Sequence, residues 1–241
     1  MTPPRKMVSE ERGKSRPGLT REAIIAAALE IVDEEGLEAL SMRHLGSVLK
    51  VDPMAIYYHI PNKSALLDGL IEAVMGEIDL SLDDPSLPAS ERIVLAAHIY
   101  RDVMMAHPQA VQVIAINNLN TRESFRPVEY LMDIFLGAGF SPHRALAAVN
   151  IFGRFVRGFV LFEVHQIFAE EAAACHGCAP TESLQQLLPV EEFPRMNEVM
   201  ASVGALGTVD EFDLGIRALV DGMFATFYED EDQMSVNEDQ T

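Results

Sequence analysis

The sequence predicts an all-α protein: an N-terminal three-helix helix-turn-helix domain followed by a larger C-terminal helical domain. Three observations predict this. Apolar residues recur at helical spacing through most of the chain. Capping residues, prolines and glycines cut that pattern into segments. Between Thr20 and Lys63 the segments are short, and a tight turn separates the middle pair. With 241 residues the chain is long enough for one or two hydrophobic cores.

Residues 1–18 are polar and basic, contain Pro3, Pro4 and Pro17, lack periodicity, and read as a disordered arm. Thr20 caps a first helix over Arg21 to about Glu35 with Ile24, Ala28 and Ile31 inward, and Gly36 ends it. Leu37 and Leu40 continue the apolar set. Ser41 caps a short helix with Leu45, Val48 and Leu49 inward, and Lys50-Val51-Asp52 makes the turn. Pro53 suits the first turn of the next helix, Pro53 to His59, which points Ile56 and Ile60 inward. Residues 19–63 thus form one domain. A linking helix over 62–80 leads out of it, with Leu66, Leu67, Leu70, Ile71 and Val74 apolar.

Ser81 to Pro88 reads as a loop and Ala89 to Ala106 as a helix. Pro108 breaks the pattern, a short helix follows to about Asn118, and another runs from Glu123 to Leu136, where Gly137 and Gly139 end it. Ser141-Pro142 opens the longest helix, to about Ala173. Ala174 to about Gly207 is loop-rich, with one helix near Glu191 to Ser202. Thr208 and Glu211 form a capping box for a final helix to about Glu229, on which Phe212, Ile216, Leu219, Val220, Met223, Phe224 and Phe227 recur at helical spacing. The second domain is therefore 81–229, and the acidic end, 230–241, reads as disordered.

The net charge of −19 is unevenly placed. Residues 1–63 hold 9 Lys+Arg and 9 Asp+Glu, whereas the remaining 178 hold 9 Arg, no Lys and 28 Asp+Glu. The larger domain should repel phosphate, and only the first quarter is electrostatically compatible with nucleic acid. In that quarter Met54, Ala55, Tyr57, Tyr58 and His59 face outward from a short second helix, the geometry of a major-groove reader. Tyr57, His59 and Lys63 suit phosphates, together with the amides at the start of the helix near Asn62. Arg43 reaches either a guanine edge or a phosphate, and Pro53, Met54 and Ala55 can pack on thymine methyls. Tyr58 is balanced between this face and packing against the first helix. The basic arm either follows the duplex or is a tail without a defined role.

The run Leu37-x-x-Leu40-Ser41-Met42-Arg43-x-Leu45, then Val51-Asp52-Pro53-Met54-Ala55-Ile56-Tyr57-Tyr58-His59-Ile60-x-Asn62-Lys63-x-x-Leu66-Leu67, resembles the DNA-binding domain of tetracycline-repressor (TetR) family regulators. The match is close over the first quarter and looser beyond. Lys50 departs from it, standing where the family usually has a glycine in a turn that often needs left-handed backbone. The resemblance implies a homodimeric transcription regulator, most often a repressor on a palindromic double-stranded DNA operator, released by a small-molecule effector. Two cysteines in a chain this long make no disulfide scaffold, so a reducing, cytoplasmic location is expected. It implies DNA contacts at Arg43, Pro53, Met54, Ala55, Tyr57, Tyr58, His59 and Lys63. It also implies that the two long C-terminal helices pair with their symmetry mates, Gly153 and Gly158 allowing close approach; the alternative is that both are core helices of a monomer.

A pocket in the larger domain is implied as well. Candidates for its lining are Tyr100, Met104, Met105, Ile114, Asn117, Asn118, Phe135, Phe155, Phe159, Phe162 and Glu163, although taken singly each reads first as ordinary core. Their character suits a largely apolar effector with Asn117 or Asn118 orienting a polar group. Tetracycline repressors hold a drug–magnesium complex through a histidine, with a threonine and arginine just beyond. Ile114, Asn117 and Asn118 stand at those places here, so tetracycline is not the expected effector.

Other function classes find little support. There is no glycine-rich phosphate loop, G-x-S-x-G, HExxH or supported carboxylate pair, so no enzyme and no cofactor are expected. No stretch approaches ~18 uninterrupted apolar residues, and Phe152 to Phe168 is broken by Arg154, Arg157, Glu163 and His165. Cys175-His176-Gly177-Cys178 supplies two thiolates where structural zinc usually wants four ligands, so a surface loop is expected rather than a metal or redox site. The rival reading is a helical ligand-binding or scaffolding protein without DNA activity, which would not need the basic, aromatic first quarter.

Overall fold

The computed structural model describes residues 19–176, 188–203 and 210–238, with side chains over 19–168, 188–200 and 210–226. Among these residues there are ten α-helices and no strand. The expected arm, the Thr208 half of the capping box, Phe227 and the Cys175–Cys178 motif lie outside the described side chains.

Local capping fixes the N-terminal elements. α1 spans Arg21–Glu35, with the Thr20 hydroxyl accepting from the Ala23 amide at 3.2 Å and Gly36 closing it at φ 87°. After a 3₁₀ turn at Leu37–Ala39, α2 spans Met42–Leu49 under a Ser41 cap. α3 spans Pro53–His59 and α4 spans Lys63–Gly76 under an Asn62 cap. α1 packs on α2 and α4. It approaches α4 so closely that a Cβ on Gly69 would fall 2.2 Å from Ile25 Cδ1. Two expectations need correction. Val48 is 44% exposed rather than inward. α4 also stops short of Leu80, because the Asp79 carboxylate takes the Ser81 amide at 2.9 Å and the Ser81 hydroxyl at 2.6 Å, turning the chain into a 3₁₀ segment at Leu80–Leu82.

The larger domain contains α5 (Ala89–Ala106), α6 (Val111–Ile116), α7 (Arg126–Gly137), α8 (Pro142–His176), α9 (Pro194–Val203) and α10 (Glu211–Glu238). α8 packs against α5, α6, α7 and α10. Its segment Pro142–Phe168 is long and apolar enough to cross a membrane, at mean hydropathy 1.6. Here its apolar residues Phe152, Val156, Val160 and Val164 are core. α10 lies against α8 and α5, burying Phe212, Ile216, Val220 and Met223. Gly215 permits that approach, since a Cβ there would meet Phe155 Cζ at 2.8 Å. The Asp210 carboxylate accepts from the Asp213 amide at 3.0 Å, the observed cap of α10. The expected end near Glu229 is also corrected, because α10 continues to Glu238 and no glycine or proline follows Gly222 to stop it.

The two domains meet at α4 and at the corner after α5. His107, just past α5, hydrogen-bonds Asp33 of α1 through Nδ1 at 2.8 Å and Glu77 at the end of α4 through Nε2 at 2.9 Å. Asn120 Nδ2 donates to Asp68 of α4 at 3.0 Å.

Candidate nucleic-acid interface and ligand cavity

The reader starts at Asp52, whose carboxylate accepts from the Met54 amide at 2.8 Å, with Pro53 in the first turn. α2 crosses close beneath: a Cβ on Gly46 would come 3.0 Å from the Val51 carbonyl oxygen and 3.2 Å from Pro53 Cγ. Between them Lys50 adopts φ 56°, ψ 43°, the left-handed turn conformation. Among the described non-glycine residues, no other has positive φ. The Val51 amide closes the turn on the Gly46 carbonyl at 2.9 Å.

Ile56 and Ile60 root α3 in the core at 0% and 1% exposure. Its opposite face is open, with Met54 72%, Tyr57 42% and Tyr58 88% exposed. Ala55, Arg43 and Lys63 are exposed, while Pro53 and His59 are half-buried. The structure thus leaves all eight predicted contact residues accessible. Tyr58 does not pack on α1; its ring stands edge-on to that of His59, centroids 5.3 Å apart. The Asn62 carboxamide oxygen takes the Ala65 amide at 2.8 Å, so the amides of Lys63 and Ser64 at the start of α4 are left for an outside acceptor. Gly46, not singled out in the sequence, sets how closely the two reader helices cross. Its signal would have been a glycine within a short helix, four residues before the turn.

A cavity of about 320 Å³ lies in the larger domain. Its walls are Met75 of α4, Ile78, Leu80 and Asp83 beyond it, Ala96, Ile99 and Tyr100 of α5, and Asn118, Leu119 and Phe125 between α6 and α7. Pro127, Val128, Tyr130 and Leu131 of α7 continue it, and α8 completes it with Leu146, Val149, Asn150, Phe152, Gly153 and Arg157. The surface is mostly apolar with a few convergent polar groups. Burial pushes the Tyr100 phenol up to about 12 against the opposing charge of Arg157. Asp83 is tied to Arg92 by bonds of 2.8 and 2.6 Å, which hold its carboxyl below the usual range.

Of the predicted lining, Tyr100 and Asn118 are on the wall and the other nine are not. Met104, Ile114 and Phe135 are core at 0%, 1% and 0% exposure, and Met105 packs beside that core. Asn117 turns back to donate to the Val113 carbonyl at 2.8 Å. Phe155 lies tilted against Phe212 of α10 and Phe159 meets the same ring edge-on, Phe162 is 64% exposed, and Glu163 pairs with Arg101 at 2.6 Å. The reason is helical phase. Leu146, Val149, Asn150, Gly153 and Arg157 recur at i, i+3, i+4, i+7 and i+11 and share the cavity face, whereas Phe155, Phe159 and Phe162 sit on another. Arg157 within an apolar run was the overlooked signal.

With this geometry established, comparison with known proteins is decisive on family. Residues 24–70 match bacterial regulatory proteins of the tetR family, and residues 84–227 match the tetracyclin repressor-like C-terminal domain. The chain belongs to the TetR family and is a ligand-responsive, DNA-binding transcriptional regulator rather than an enzyme. It is 27% identical over 217 residues to an HTH-type transcriptional regulator of Saccharopolyspora erythraea, covering 90% of this chain and 89% of the relative. It is 32% identical over 178 residues to the class D tetracycline repressor protein of Escherichia coli, covering 70% and 77% respectively. Apo ActR from Streptomyces coelicolor shares the fold at a TM-score of 0.73 and 24% identity, covering 89% of this chain and 99% of that one.

Proposed function

We propose that this chain is a cytoplasmic, homodimeric repressor that grips a palindromic operator with two copies of α3 and releases it when a small, largely apolar molecule fills the cavity. One observation carries the release mechanism. Met75 near the end of α4 and Ile78 and Leu80 just beyond it are cavity wall, while Lys63 at the other end of α4 adjoins the reader. A 14-residue helix is a rod about 21 Å long, so displacement at one end is delivered to the other. Two readers must match half-sites about 34–36 Å apart along the duplex, and a change in their separation disfavours the bound form. The effector acts through its different affinity for the two arrangements.

Dimerisation is supported by exposed apolar side chains on α8 and α10: Phe162 at 64%, Ile167 at 40% and Leu214 at 62%. Gly158 has open space where a Cβ would stand. The tetracycline repressor relative supports repression as the output but not its drug as the effector. In this chain Ile114 is core, Asn117 is engaged with its own helix, and no metal-binding histidine stands at either place.

Binding of the full chain to the duplex upstream of its own gene, followed by fluorescence anisotropy, tests this reading. Affinity should fall linearly on a log–log plot against salt concentration, and further on addition of a cavity ligand. A flat salt response, or ligand binding that leaves operator affinity unchanged, would contradict it.

A further inference from the structure

Two wall residues of the cavity carry formal charge, Asp83 and Arg157. Asp83 is neutralised by its two bonds to Arg92. Arg157 is not matched in this way. Its Nε donates to the Gly153 carbonyl of its own helix at 3.0 Å, and no carboxylate lies within ion-pair distance among the described residues. A guanidinium has five N–H donors, so four remain. Beside it Tyr100 is 7% exposed, and its hydroxyl has no hydrogen-bond partner among the described residues. Because that phenol stays protonated, it offers a donor throughout the physiological range.

We propose that the cavity is selective for aromatic anions: a planar apolar body lies among Phe125, Tyr130 and Val149, and its acidic oxygens accept from Arg157 and Tyr100. This rests on the cavity's being the effector site and adds the chemical class of ligand. A lone apolar molecule would bury the Arg157 charge without a counter-ion, whereas an anion supplies one and gains charge-assisted hydrogen bonds. The chain's overall charge of −19 does not oppose this strongly, since exposed charges beyond about 8–10 Å are screened at physiological ionic strength. The volume, about 320 Å³, lies at the small end of the roughly 300–1,000 Å³ range of ligand sites and suits a compact ring system.

Two fluorescent probes of nearly the same ring system test it on the full chain: 8-anilinonaphthalene-1-sulfonate, an anion, and uncharged N-phenyl-1-naphthylamine. The anion should bind more tightly. Arg157→Gln should weaken the anion by about tenfold or more while leaving the neutral probe within about twofold, and Arg157→Lys should recover most of the loss. Gly153→Leu, whose Cβ has 3.6 Å of clearance from Arg157 Nη2, fills the cavity and should lose both probes. Equal weakening of both probes in Arg157→Gln would overturn the proposal, as would unchanged anion binding in Arg157→Gln or retained binding in Gly153→Leu. Operator release by the same probes separates the two readings. Arg157-dependent preference without release leaves the anion site standing and contradicts the release mechanism. Release without that preference overturns the anion site alone.

Discussion

Tyr57 and Met54 occupy one short helix, yet their chemistry assigns them different work. A phenol near the end of α3 can hydrogen-bond a phosphate on any duplex, whereas a thioether chain can only pack on a particular base edge. Tyr57→Ala should therefore weaken binding on every operator variant by a similar factor. Changes at Met54 or Ala55 should instead alter which sequence is preferred. Selection from a random duplex pool by each variant distinguishes these, and uniform losses for all three would contradict the assignment. Lys50 makes a separate prediction. Its left-handed backbone costs about 1–2 kcal/mol, and glycine there would forfeit roughly 0.5–1 kcal/mol through greater freedom in the unfolded chain. Lys50→Gly should thus stabilise the protein by about 0.5–1 kcal/mol, seen as a higher denaturant midpoint at constant slope. That strain was legible in the sequence, because the turn required a conformation that lysine does not favour. Arg157 was not legible as cavity wall, because which face of α8 meets a hollow depends on the helices packed around it.

Among the elements, α1 to α3 and the start of α4 were readable nearly to the residue because their signals are local. Thr20, Ser41, Asp52 and Asn62 each accept an amide within three residues of themselves, and Gly36 needs only its own φ. The end of α4 was misplaced because a weaker competitor, the Asp79–Ser81 pair, interrupts a continuing apolar pattern. Phe155 and Phe159 of α8 were read as candidate lining or core, and telling these apart required knowing that α10 covers that side. At the junction of α1, α4 and α5, burial opposes the charge of His107, but hydrogen bonds to Glu77 and Asp33 outweigh it and raise its pKa above the ordinary 6.5. A raised folded pKa means that the stabilising contribution is fully present below about 6.5 and is lost as pH climbs through the folded value. The stability difference between wild type and His107→Gln should accordingly be largest near pH 6 and shrink toward pH 9. Thermal unfolding across that range checks it, and a difference independent of pH would contradict the assignment.

For the whole molecule, the distribution of charge and apolar surface makes a single arrangement favourable. Residues 1–63 are net neutral with Arg43 and Lys63 exposed, and the whole acidic excess lies beyond them. Phe162 and Leu214 leave an apolar surface on α8 and α10 that a second copy would cover. One reader contacts few phosphates, while two held rigidly give both affinity and spacing. The most direct measurement is a hydroxyl-radical footprint of the full chain on duplexes it selects from a random pool. The account predicts an inverted repeat with two protected patches on one face of the DNA, centred about 34–36 Å apart. A single patch, or a selection that enriches no sequence at low salt, would contradict it.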